Sequence, residues 1–151
     1  ATFHPNSEWA VGQAERFLQQ ADKDSLPVRF LVRDKDFKYS RGFDKVFEEA
    51  DVAVEPTSPR SPNQNAFVER WIGSIKGECL NRFICFGLKH LDYLVEEYVR
   101  YYNQLRPHSR KGDKPLLGVW QDSHDPPAQR EEIVCREWLG GVLKYYEREA
   151  A

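Results

Sequence analysis

The chain has 151 residues, 40% hydrophobic and 13% aromatic, and a net charge of −2. That is enough for a folded globule burying about 70% of its extended surface, and too apolar for a disordered tail. No apolar run approaches the roughly 20 residues that cross a membrane and no signal peptide is visible, so a membrane is not an expected partner.

The predicted elements alternate. Pro5-Asn6-Ser7 offers a cap, and Trp9, Ala10, Gln13, Ala14, Phe17 and Leu18 recur at helical spacing up to about Ala21. Val28 to Val32 reads as a buried strand, Arg41 to Ala50 as a short amphipathic helix with Phe43, Val46 and Phe47 inward, and Val52-Ala53-Val54 as a second strand stopped by Pro56. Residues 58–63 form a proline-rich loop. A long helix is expected from about Asn65 to Arg82 and another from about Leu88 to Leu105, the latter with a core stripe of Leu91, Leu94, Val95, Tyr98, Tyr102 and Leu105. Pro107 to Pro127 reads as an extended connector. Ile133 to Tyr146 reads as a hairpin about a Gly140-Gly141 turn, with Glu137 opposite Lys144 and Arg136 opposite Tyr145.

Charge is unevenly spread. Residues 1–59 carry 8 basic and 11 acidic side chains, residues 60–114 carry 10 and 6, and residues 115–151 carry 4 and 7. The basic middle fits a polyanionic substrate, although ordinary surface charge explains it about as well. Cys79, Cys85 and Cys135 form an odd set without a CxxC pair, which indicates neither a disulfide framework nor a zinc site and reads as reduced, cytoplasmic thiols. The chain contains no methionine and starts at Ala1, which reads as a fragment or an excised domain.

Two carboxylates stand out. Asp34 closes the run Val28-Arg29-Phe30-Leu31-Val32-Arg33-Asp34, and Glu69 lies 35 positions later on the long helix. Carboxylates on separate elements suit a hard, oxygen-loving divalent cation, and such a pair would stand about 4–7 Å apart, with Asp36 the alternative if the register slips. At 100° per residue Val68, Ile72, Ile75 and Cys79 share the buried stripe, while Glu69, Gly73, Lys76 and Leu80 form a ridge at its border. Taken alone, that ridge is more simply a surface Glu-Lys row.

The blocks Asp34, Pro62-Asn63-Gln64-Asn65-Ala66-Phe67-Val68-Glu69, Lys76-Gly77-Glu78-Cys79-Leu80 and Tyr101-Tyr102-Asn103-Gln104-Leu105-Arg106-Pro107-His108 resemble the retroviral-type integrase catalytic core, closest to bacterial insertion-sequence transposases. The resemblance covers about residues 1–118, a partial catalytic core; residues 119–151 would be a connector and appended hairpin. It implies an α/β, ribonuclease-H-like fold with long C-terminal helices. It further implies DNA as partner and metal-dependent phosphodiester cleavage and strand transfer, and it leaves a homo-oligomer open. Asp34 and Glu69 would be catalytic metal ligands for Mg²⁺ or Mn²⁺, while Lys76, Arg60 and Arg106 would contact DNA. Arg106 could equally pair with a carboxylate, and His108 could cap or pack.

The family motif has three carboxylates, and the first has no counterpart here. Only 33 residues precede Asp34, mostly a predicted helix, and Glu8, Asp22 and Asp24 sit at its ends. The core therefore lacks its first strands, two ions are expected only in the complete site, and the chain alone should be inactive. The alternatives are a non-catalytic DNA- or protein-binding module derived from a transposase, or an unrelated, mainly helical interaction domain.

Overall fold

A computed structural model describes residues 1–58, 66–117 and 129–149. The chain divides into two compact units, residues 2–70 and, together with Ala1, residues 71–151. The expected boundary near residue 118 and the proline-rich loop beyond Ser58 lie outside the described residues.

The first unit opens with α1 (Ser7–Lys23), whose N-cap Asn6 accepts a hydrogen bond from the Trp9 N–H at 2.8 Å. Such a cap contributes about 1 kcal/mol. Strand β1 (Phe30–Arg33), helix α2 (Arg41–Glu48) and strand β2 (Ala53–Pro56) follow. The two strands pair in parallel, with Phe30 beside Ala53 and Arg33 beside Pro56. Parallel neighbours need a crossover, and α2 supplies it, making a small β-α-β unit. Its core is Ala10 and Ala14 of α1 against Phe43 and Phe47 of α2 and Val52, with Val28, Leu31 and Val54 packed on it. The small alanines let α1 approach closely, and Phe47, 2% exposed, fills the space between. Truncating Phe47 to alanine should cost about 3–5 kcal/mol.

One expectation fails in this unit. The run Val28 to Val32 reads in sequence as a buried strand, yet Phe30 is 70% and Val32 46% exposed. Alternate residues of a strand face opposite ways. Leu31 faces the helices, while nothing among the described residues covers the Phe30 and Val32 face of this two-stranded sheet.

Helix α3 (Ala66–Glu78) begins in the first unit and continues into the second at Trp71. It is shorter than expected, because the chain tightens into a 3-10 turn over Leu80–Arg82. The expected buried stripe survives only in its second half. Ile75 and Cys79 are buried, whereas Val68 is 57% and Ile72 38% exposed, because among the described residues the packed core lies towards the carboxyl end of the helix.

Helix α4 (Leu88–Gln104) buries Leu94, Tyr98 and Tyr101. These pack with Ile75, Cys79 and Leu143 into the second unit's core. The hairpin of β3 (Ile133–Trp138) and β4 (Leu143–Arg148) has the expected register, Glu137 opposite Lys144 and Arg136 opposite Tyr145. The turn is longer than the expected two residues: Leu139, Gly140 and Gly141 have φ of 51°, 64° and 86°, and the ladder closes at Trp138 and Leu143, leaving residues 139–142 as the loop. The Val142 N–H reaches the Leu139 carbonyl across it at 3.4 Å. Between α4 and the hairpin, the expected connector contains a 3-10 turn at Ser109–Lys111, and its residues from 118 to 128 lie outside the described part.

Candidate metal and nucleic-acid site

Asp34 follows the last residue of β1, where Arg33 anchors the strand end. The Arg33 guanidinium forms a fork to Asp44 of α2, both bonds 2.6 Å, and its third nitrogen donates to the Asp34 carbonyl at 3.0 Å. The hydrogen bond to Asp44 is the main reason the Arg33 pKa is raised. The Asp34 carboxylate is left exposed, taking only a long 3.4 Å contact from the Asp36 N–H. Asp36 is different. It accepts both the Lys38 ammonium at 2.6 Å and the Lys38 N–H at 3.0 Å. The Lys38 ammonium in turn holds the Asp36 carboxyl below its ordinary pKa. A carboxylate already neutralised by a lysine is the poorer cation ligand, so Asp34 is the better candidate of the two.

Glu69 is exposed in the first turn of α3. It belongs to the same compact unit as Asp34. Neither carboxylate forms a direct ion pair among the described residues, although Asp34 lies in the field of Arg33 and Lys38. Both are hard oxygen donors, chemically suited to Mg²⁺ or Mn²⁺. Among the described residues, no three His, Cys, Asp or Glu side chains gather as a metal cage.

Lys76 is exposed in the last turn of α3, and Arg60 lies outside the described residues. Arg106 is drawn elsewhere. Its guanidinium grips the Glu78 carboxylate through Nε at 2.9 Å and Nη2 at 2.8 Å, and Tyr98 donates its hydroxyl to the same carboxylate at 3.0 Å. The guanidinium also lies 5.3 Å from the centre of the Tyr102 ring. His108 meets the edge of that ring and bonds the Tyr102 carbonyl through Nε2 at 2.9 Å. Two sequence blocks read as functional thus meet as a clasp between the ends of α3 and α4. Burial first, and then its bond to Glu78, push the Tyr98 hydroxyl pKa well up. The sequence allows a carboxylate partner for Arg106 without pointing to Glu78 or Tyr98. The signal available was a pair of opposite charges, Glu78 in one block and Arg106 in the other, without spacing to join them.

The comparisons agree with the middle of the chain. Residues 50–115 match the integrase core domain family. The chain is 39% identical over 57 residues to an uncharacterized 39.2 kDa protein of insertion element IS476 from Xanthomonas euvesicatoria, covering 38% of this chain and 16% of that protein. It is 31% identical over 98 residues to an uncharacterized 31.7 kDa protein of insertion element IS407 from Burkholderia multivorans, covering 63% and 35%. No solved structure matches. Glu69, Glu78 and Arg106 therefore lie within the residues that match the integrase core domain family, while Asp34 precedes them. The chain spans about a third or less of the relatives' length. Among the described residues no helix is long and apolar enough to cross a membrane.

Proposed function

We propose that this chain is part of the catalytic core of a DNA transposase or integrase, with Asp34 and Glu69 as two of its divalent-metal ligands. The observation that carries this reading is topological. In open parallel sheets, ligands gather beyond the carboxyl ends of the strands. Asp34 follows the carboxyl end of β1, and the chain leaving the carboxyl end of parallel β2 leads to α3, whose first turn carries Glu69. A ribonuclease-H-like arrangement uses carboxylates in this way.

Bound divalent ions would supply Lewis acidity for in-line displacement at a phosphodiester. The protein's own share is positional. Arg33, tied to Asp44, sets the strand end that presents Asp34, and the first turn of α3 presents Glu69. Lys76, exposed on the same helix, is a candidate contact to the DNA backbone.

Two carboxylates do not complete such a site, so the isolated chain should bind Mg²⁺ at best in the millimolar range and should neither nick DNA nor join strands. Calorimetric titration with Mg²⁺ and Mn²⁺ tests the assignment, with binding expected to disappear in Glu69→Gln and in Asp34→Asn. Tight binding indifferent to both substitutions would place the metal elsewhere and end this reading.

A further inference from the structure

In the second unit, a cavity of about 330 Å³ opens between the end of α3, the end of α4 and strand β4. Its charged lining is Arg82, Arg106, Lys144 and Glu78, with Tyr101 and Leu143 at its floor. The one carboxylate there is already consumed. Glu78 accepts the Arg106 fork and the Tyr98 hydroxyl, so the pair is close to neutral towards the cavity. The cations left to face the cavity are Arg82 and Lys144, the latter in an exposed pair with Glu137.

Both have donors to offer. The Arg82 Nε bonds the Gly77 carbonyl at 3.3 Å, which orients the guanidinium, and its terminal nitrogens have no protein partner among the described residues. Lys144 touches Glu137 at 3.3 Å, with both side chains about half exposed. An exposed pair of that kind is weak and easily traded for a better anion. The Tyr101 hydroxyl donates to the Lys144 carbonyl at 3.2 Å, fixing β4 against α4 at this point. The carbonyl ends of two helices nearby would repel an anion. The Arg82 bond to Gly77 and the Arg106 bond to the Pro107 carbonyl at 3.3 Å offset part of that.

We propose that this cavity seats one phosphate of a polynucleotide backbone, held by Arg82 from one side and Lys144 from the other. The hairpin, which shows no chemistry in its sequence, would then be one wall of a DNA contact. The size suits a phosphate with part of its sugar. An arginine guanidinium beside a lysine ammonium is a combination phosphodiesters commonly meet. The proposal rests on the reading of DNA as the substrate, and it is separate from the Asp34 and Glu69 assignment.

The test uses the full chain and a fluorescein-labelled double-stranded oligonucleotide, with anisotropy followed from 50 to 200 mM NaCl. Losing one phosphate contact lowers the slope of log Kd against log salt by about 0.9, so the fourfold salt increase should weaken the double variant Arg82→Gln/Lys144→Gln about 3.5-fold less than the parent. The single variants should each show part of that change, and Arg82→Lys should keep most of the parent slope. Lys89→Gln, exposed on α4 away from the cavity lining, should behave as the parent. Circular dichroism will establish that the variants fold. An unchanged slope in the folded double variant would overturn the proposal. If inorganic phosphate stabilises the parent but not the double variant, and the parent binds no oligonucleotide, the polynucleotide assignment fails. Mg²⁺ titration of the double variant should still depend on Glu69, so the two readings fail independently.

Discussion

Replacing Arg106 by methionine should destabilise the second unit by about 2 kcal/mol. The guanidinium makes a forked contact to Glu78, with side-chain exposures of 27% and 33% for the two partners. Breaking a fully buried pair costs about 3–5 kcal/mol, and an exposed pair contributes about 0–1 kcal/mol. A pair a third exposed belongs between these limits, because Glu78 regains some water when abandoned. Methionine retains much of the contact with Tyr102, so the loss is mainly electrostatic. Urea unfolding should be followed by far-UV circular dichroism and by tryptophan fluorescence, since Trp71 and Trp138 both pack on this core. With m near 1.3 kcal/mol per molar urea for a unit this small, the midpoint should fall by about 1.5 M. The companion Glu78→Gln and the double variant complete a cycle whose coupling energy should be about 1–2 kcal/mol. Single effects that simply add, within about 0.3 kcal/mol, would show that the two groups do not stabilise each other and that the clasp is incidental.

Tyr98 is held protonated by burial and by its bond to Glu78. A group whose pKa is raised on folding stabilises the fold fully below its unfolded value and loses that contribution as pH climbs past it. Stability should therefore decline above about pH 10, and Tyr98→Phe should flatten that decline while losing about 1 kcal/mol at neutral pH. Gly73 has open space where a Cβ would stand. Gly73→Ala should thus raise thermal stability by about 1 kcal/mol, and weaker DNA binding in that variant would support close approach of DNA to the helix. At the hairpin tip, a Cβ on Gly141 would lie 3.2 Å from a Glu137 carboxylate oxygen and carry a φ of 86°. Gly141→Ala should cost about 1–2 kcal/mol in melts of the second unit. Finally, joining this chain to amino-terminal strands that supply a further Asp should yield nicking activity, abolished by Asp34→Asn or Glu69→Gln. Cleavage by the present chain that survives Asp34→Asn would contradict the metal-site proposal.

Local chemistry was legible in the sequence wherever one segment decides its own shape. The Asn6 cap, the α4 stripe and the hairpin register about its two glycines all follow from dihedral preference and periodicity, which act over a few residues. The integrase-core resemblance was legible too, because its motif residues recur in order along the chain. Burial was harder to read. Val68 and Ile72 continue the same stripe as Ile75 and Cys79, yet only the latter two are covered, and Phe30 and Val32 share a strand with half-buried Leu31. Periodicity says which residues share a face, whereas only the placement of other elements says whether that face is covered. The same limit applied to charge. Glu78 and Arg106 are 28 positions apart, and their pairing depends on α3 and α4 ending side by side. Arg82 and Lys144 come together for the same reason, since a cavity wall is assembled from segments that the chain order keeps far apart.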